Sequence, residues 1–212
     1  MSEAVGWIQK AATQGDAFAQ FNLGTCYNSG YCVSVDNAEA VKWFKKAAEQ
    51  GLAVAQFNVG YCYEHGIGVD QDITEAIGWY QKVAEQGDAL AQYSLGFAYF
   101  NGQGVAEDRA LAVKWYQKAA EQGHADSQCC LGECFYFGRG VEQDYAEAVK
   151  WFRNAAEQGH INGQCWLGMC YKDGDGVEVD RDEALDWFSK AARQGSEYAK
   201  RMIRSLGCDF IE

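Results

Sequence analysis

A chain of 212 residues with 48% hydrophobic and 23% charged side chains has the makeup of a folded globular protein, which excludes long disordered tracts. Acidic residues outnumber Lys plus Arg by 30 to 18, a formal charge of −12, so nucleic acid, which needs a basic face, is not an expected partner. No apolar run reaches the roughly 18 residues of a membrane span, and no signal-peptide pattern opens the chain. Glycine stands at 24, above the roughly 15 of average usage, while proline stands at 0. The glycines neither cluster nor keep a three-residue beat, so linkers and collagen are excluded as well.

The glycines are periodic. Gly15, Gly51, Gly87, Gly123, Gly159 and Gly195 are each 36 residues apart, as are Trp7, Trp43, Trp79, Trp115, Trp151 and Trp187. Gly24 and Asp36 each head a further column at the same interval. An unbroken period of this length means stacked two-element units, none of which can bury its apolar face alone. The spacing sets the divisions at 1–15, the second helix of a partial repeat, then full repeats at 16–51, 52–87, 88–123, 124–159 and 160–195, and a terminal helix and tail at 196–212. Together they are read as one domain. Because the chain opens inside a repeat, a longer parent protein is expected, and any leader of that parent would be missing here.

The first full repeat predicts a helix over 16–29 and a second over 37–50. In the first, Gln20, Leu23, Gly24 and Tyr27 share one side at 100° per residue. In the second, Ala40, Trp43, Phe44, Ala47 and Ala48 make the stripe of a buried face. Asp16 and Asp88 are N-cap candidates, and Gly51 ends the second helix. Between the helices lies Gly66-Ile67-Gly68-Val69, with equivalents at 102–105, 138–141 and 174–177. Glycine inside a helix, as at Gly24, costs about 1 kcal/mol relative to alanine. Close approach of the paired helix, over the Trp43-type side chains, is the expected compensation. The terminal helix is expected over 196–206 as a polar cap, with Lys200 and Arg204 replacing the repeat's Gln and Gly.

Leu23-Gly24-x-x-Tyr27 followed by Ala40-x-x-x-Phe44 resembles the tetratricopeptide pattern, with two extra residues per unit that fit the Gly-x-Gly-Val loop. With that loop, and with Glu75-Ala76-Ile77-Gly78-Trp79-Tyr80 through Gln86-Gly87-Asp88, the unit resembles the Sel-one-like repeat, and does so along nearly the whole chain. The resemblance implies an all-α, right-handed α/α superhelical solenoid and a role as adaptor, as family members play in signalling, endoplasmic-reticulum quality control and bacterial virulence. Two departures stand out: the proline many members carry after Gly-x-Gly-Val is absent, and Cys32 replaces a loop glycine.

In solenoids of this type the first helices line the concave surface. Positions 18, 22, 25 and 29 and their equivalents lie opposite the recurring side and are the variable ones. Asn22, Asn58, Tyr61, His65, Phe97, Asn101, Glu133, Phe137, Trp166 and Met169 in this stripe are the candidate partner-binding residues. Asn22 and Asn58 are candidates to bond an extended peptide backbone, as asparagines do in tetratricopeptide grooves. The only charged members of the stripe are Asp126, Glu133 and Asp173, so the expected partner is a neutral or basic protein or peptide with apolar anchors. Facing away from the packing columns, Phe97 and Trp166 are expected to be dispensable for folding. A monomer is expected.

Of the nine cysteines, Cys26, Cys62, Cys134 and Cys170 share one column and Cys129 and Cys165 another. Same-column neighbours at a helix-packing distance of about 9 Å are too far apart for a disulfide. A cross-column pair, Cys134 with Cys165 or Cys129 with Cys170, remains open, but small reduced core residues are the preferred reading. Cysteine-rich bacterial members of the family bridge one second helix to the next first helix, where this chain has Ala48 and Ala55. No compartment follows from these residues, although unpaired cysteines favour the cytoplasm. Cys130 and Cys134 lie one turn apart without a second ligand pair, so no zinc site is expected. His124 and His160 read as solvated capping-turn residues. No nucleophile with an orienting acid, no P-loop and no dinucleotide fingerprint is present, so neither a cofactor nor an enzyme is expected. The leading expectation is a peptide- or protein-binding scaffold. The alternative is a binder of small ligands or cell-wall fragments, as suggested for cysteine-rich bacterial relatives, and a structural spacer stands third.

Overall fold

The computed structural model describes residues 3–207, which contain twelve α-helices and no strand. They form two compact units. The first, ending at Glu107, holds α1 (Glu3–Thr13), α2 (Ala17–Ser29), α3 (Asn37–Glu49), α4 (Ala53–His65), α5 (Ile73–Glu85) and α6 (Ala89–Asn101). The second, starting at Asp108, holds α7 (Arg109–Glu121), α8 (Ala125–Phe137), α9 (Tyr145–Glu157), α10 (Ile161–Asp173), α11 (Arg181–Arg193) and α12 (Glu197–Ser205). Within each unit helices adjacent in sequence pack together, giving the all-α helical-repeat fold.

The helix ends show what the periodic aspartates do. Asp36, Asp72, Asp108, Asp144 and Asp180 are the N-caps of the second helices; each is extended and accepts a hydrogen bond from an amide three residues on. Removing such a cap costs about 0.5–2 kcal/mol. Asp16 and Asp88 cap α2 and α6, which is why α2 starts at Ala17 rather than at position 16. His124 and His160 cap α8 and α10 through Nδ1. They are not freely solvated: the His160 side chain is 17% exposed and its Nε2 meets an Asp126 carboxylate oxygen at 3.1 Å. Gln50 caps α3 at its end, and Gly51 follows at φ 88°.

The alanine-rich stripe is the core, with Ala40, Phe44, Ala47 and Ala48 of α3 buried against Ala55 and Val59 of α4. The ring that opposes the helix glycines is the one after the tryptophan, not the tryptophan itself. A Cβ on Gly60 would stand 2.7 Å from the Tyr80 ring, and one on Gly132 would stand 2.5 Å from Phe152. Trp43 and Trp187 lie beside this contact, each with a lysine ammonium 3.9 Å and 3.8 Å above its ring. Each of these indoles is buried, its N–H without a hydrogen-bond partner among the described residues, while a cation covers its face.

Buried glutamines join the repeats. Gln56 is 6% exposed; its Nε2 donates to the Ala48 carbonyl at 3.1 Å, and its Oε1 accepts from Gln86 at 2.7 Å. Gln128 repeats the arrangement with the Ala120 carbonyl and Gln158. A buried amide left unpaired would cost about 1–3 kcal/mol, so pairing both ends makes the glutamine a register pin between helices.

The loop departure has a clear backbone consequence. A Cβ on Gly68 would fall 2.2 Å from the Asn37 carbonyl oxygen, and one on Gly176 2.3 Å from that of Tyr145. These glycines let the loop lie on the start of the preceding second helix, at φ of 70° and 73°. Cys32 occupies the same column and keeps the conformation, at φ 59°, with its side chain exposed. A non-glycine residue held there costs about 1–2 kcal/mol.

Candidate functional site

The first helices present the variable stripe differently in each unit. In the first, Tyr61 and Phe97 are 44% and 43% exposed. His65, one turn after Tyr61, stacks on its ring with centroids 4.1 Å apart, and His65 Nδ1 lies 3.1 Å from the Tyr61 carbonyl. Asn58 and Asn101 donate to the carbonyls of Val54 and Phe97, at 2.7 Å and 2.9 Å, on their own helices. Neither side-chain oxygen has a hydrogen-bond partner among the described residues. Asn22 is exposed on α2. Phe97 also borders a cavity of about 210 Å³ that includes Glu64, Ile77, Tyr80 and Tyr93. Within it the Tyr80 hydroxyl donates to Glu64 at 2.6 Å. Burial, then the carboxylate beside it, pushes the phenol well above its ordinary range.

In the second unit the stripe is partly folded into the core. Trp166 stacks on Phe152 with centroids 5.4 Å apart and planes 7° from parallel. It also meets Phe137 edge-on at 5.6 Å, and its indole N–H donates to Glu133 Oε1 at 3.0 Å. The expectation that Trp166 stands clear of the packing columns therefore fails. The side chain is long enough to reach over the flank of α10 to the ring that opposes Gly132. Phe137 remains 43% exposed. Glu133, Trp166 and Met169 come together around a cavity of about 320 Å³ that Asn162, Cys165, Ser196 and Tyr198 also line.

Glu64, Tyr93 and Tyr198 were not among the residues singled out by sequence. Tyr198 had a signal: it is 36 residues after Asn162 and so continues the column of Phe18 into the terminal helix. Glu64 had none, because it lies one position short of the stripe.

The eight described cysteines are free thiols; Cys26, Cys62, Cys129, Cys134, Cys165 and Cys170 are buried, Cys130 is partly buried and Cys32 exposed. Cys208 lies outside the described residues. Burial, then the Glu133 carboxylate, pushes the Cys130 and Cys134 thiols up to about 12, and burial with Asp175 does the same at Cys170. Such thiols are protonated and poor nucleophiles at neutral pH. Among the described residues no group of three or more His, Cys, Asp or Glu is placed to hold a metal ion, and no helix is long and apolar enough to cross a membrane.

The family model of the Sel1 repeat matches residues 1–16, 17–52, 53–88, 89–124, 125–160 and 161–196. A Sel1 repeat protein from Oxalobacter formigenes is 35% identical in sequence, with a TM-score of 0.87 over 93% of this chain and 83% of that one. A protective antigen of uropathogenic Escherichia coli with an SLR fold is 36% identical, with a TM-score of 0.69 over 96% of this chain and 51% of that one. Helicobacter pylori cysteine rich protein B is 26% identical, with a TM-score of 0.50 over 62% of this chain and 95% of that one. No curated protein matches the chain. With the repeat model matched six times in unbroken register, the chain belongs to the Sel1 repeat family.

Proposed function

We propose that this protein is a non-catalytic scaffold that binds a protein or peptide through the stripe of its first helices. Sel1 repeat proteins are generally protein-interaction scaffolds. The observation that carries the reading further is the set Tyr61, Phe97 and Phe137, each 43–44% exposed on faces whose neighbouring columns are buried. Aromatic side chains with two rotatable bonds lose little entropy on binding and concentrate interface energy. The cavities beside Phe97 and Trp166 give such a partner places to insert apolar anchors. Exposed aromatics on several first helices, with one cavity beside Phe97 and another beside Trp166, favour an extended ligand over a small molecule. Glu133, Asp126 and Asp173, on a chain of net charge −12, favour a neutral or basic partner over an acidic one. The protein acts as a monomer in this reading.

Capture of partners by the wild-type chain and by Phe97→Ala, Phe137→Ala and Lys114→Glu variants tests it. Lys114 is an exposed residue on α7, outside the stripe. Each aromatic substitution should preserve helicity and weaken capture about tenfold or more, from about 2 kcal/mol per anchor. Capture abolished by Lys114→Glu and untouched by both aromatic substitutions would move recognition to the second helices.

A further inference from the structure

The cavity between α8, α10 and α12 has a chemistry that the stripe alone does not predict. Its floor carries one carboxylate, Glu133, whose Oε1 is held by the Trp166 indole N–H at 3.0 Å. Glu133 Oε2 has no hydrogen-bond partner and Glu133 no ion-pair partner among the described residues. Two basic side chains act on the Tyr198 wall: Lys172, which is bound to Asp173 at 2.5 Å, and Arg201, which is exposed. The walls are Trp166, Met169 and Tyr198, with the Cys165 thiol 3.5 Å from the Ser196 hydroxyl at the rim. Burial holds that thiol protonated, so it adds no second negative charge.

An oriented carboxylate beside an indole and a phenol is complementary to one kind of group. A cation gains from the carboxylate and from the negative faces of the rings, whereas an anion meets repulsion and a neutral apolar group leaves the carboxylate without compensation. The thioether and ring walls suit a methylene stem leading to that cation. One carboxylate, with only the neutral oxygens of Asn162, Ser196 and Tyr198 beside it, is a poor site for a divalent metal ion. We propose that this cavity is a subsite for the side chain of a lysine or arginine carried by the bound peptide, with Glu133 as the charge partner. The proposal rests on the peptide-binding reading for its ligand, but the affinity of the cavity for the cation is measured separately.

The probes are N-acetyl-lysine methylamide and N-acetyl-norleucine methylamide, which keeps the four-carbon stem and lacks the ammonium, titrated into the ¹⁵N-labelled full chain. The Trp166 indole N–H resonance, assigned with a Trp166→Phe variant, is the readout because that proton sits on Glu133. Expected is a saturable shift with the lysine probe at millimolar concentration, about tenfold or more weaker for norleucine and for Glu133→Gln, which keeps an acceptor for the indole. Tyr198→Leu, at a position 38% exposed, should also weaken the lysine probe without disturbing the fold. Equal shifts from lysine and norleucine probes, undiminished lysine binding by folded Glu133→Gln, or no saturable shift in the wild type would each overturn the proposal. The comparison of the two probes needs no variant and stands even if Glu133→Gln fails to fold. If partner capture survives Phe97→Ala and Phe137→Ala while the lysine probe saturates, the stripe reading falls and the cation site remains. If capture depends on those aromatics and the lysine probe does not bind, the reverse holds.

Discussion

Asn58 and Ser94 in the first unit and Cys130 and Trp166 in the second occupy one column of the repeat, yet they do different work. Asn58 and Ser94 turn back onto their own helix, donating to the carbonyls of Val54 and Leu90 at 2.7 Å and 3.0 Å. Trp166 instead lies flat on Phe152, and Cys130 is screened enough for its thiol to be pushed up to about 12. A variable position in a repeat is thus not exposed by default. In this column the short polar residues bond to their own helix, whereas the Trp166 ring reaches across to a core ring and adds to packing.

The difference is largest in alkali. The second unit contains Cys130, Cys134 and Cys170 with thiols raised to about 12 from an ordinary 9.0, and Cys129 is raised further still. The first has only Cys26 and Cys62, raised less, mainly by burial. Each unit also has one strongly raised tyrosine, Tyr80 and Tyr136, so the phenols do not separate them. The unfolded chain releases its thiol protons near pH 9, before the folded chain does. Stability present below pH 9 therefore declines as pH rises toward 12, by up to about 1.4 kcal/mol per pH unit for each thiol so raised. Proteolysis under reducing conditions, mapped by mass spectrometry at pH 8 and pH 10.5, should open the second unit first. Simultaneous opening, or earlier cleavage in the first unit, would break the comparison.

Truncation of the shared column probes the same contrast at neutral pH. Trp166→Ala should destabilise by about 2–4 kcal/mol, because it removes a ring stacked in the core edge and leaves Glu133 without its indole donor. Asn58→Ala should change stability by no more than about 0.5 kcal/mol, as it removes only a bond to its own helix. Equal losses in denaturant unfolding would show that the column has one role in both units.

The helix glycines sharpen the point within the first unit. Gly60→Ala drives a Cβ to 2.7 Å from the Tyr80 ring and 3.3 Å from the Ala76 carbonyl, and should cost about 1–3 kcal/mol. Gly78, in the interior of α5, has nothing within 4 Å of the same added atom. Gly78→Ala should raise stability by about 0.5–1 kcal/mol, from helix propensity alone. A melting temperature that rises for both would remove close packing as the reason for the Gly24-type column.

Much of this was legible in one sequence because the repeat acts as its own alignment. Helix bounds, the buried alanine stripe and the stripe of Tyr61, Phe97 and Phe137 all follow from columns 36 residues apart. What was not legible depends on distances between columns. Trp43 and Phe44 are adjacent and both belong to the apolar stripe, so period alone could not say which ring meets the glycine. The glutamine pins join residues 30 apart, Gln56 to Gln86 for one, and a column pattern registers each glutamine without showing that they touch. The reach of Trp166 across its helix is a matter of side-chain length, to which a helical wheel is blind. Tyr198 was missed because the count of full repeats stopped at 195, one helix before the column did.

The smallest effect expected is in the first loop. Gly176 and its column partners need to be glycine for two reasons, positive φ and a backbone carbonyl in the space of a Cβ. Cys32 meets the first demand, at φ 59°, and its side chain is exposed. Cys32→Gly removes about 1–2 kcal/mol of left-handed strain but adds back roughly 0.5–1 kcal/mol of unfolded-state freedom. The net expectation is a gain of about 0.5 kcal/mol, read as a small rise in the denaturant midpoint with an unchanged slope. The same variant should remove the one thiol among the described residues that is exposed enough to react quickly with a bulky reagent in the folded state at pH 8. Fast native-state labelling that persists at those residues in Cys32→Gly would show that the buried thiols open to solvent, and would undercut the alkaline prediction for the second unit as well.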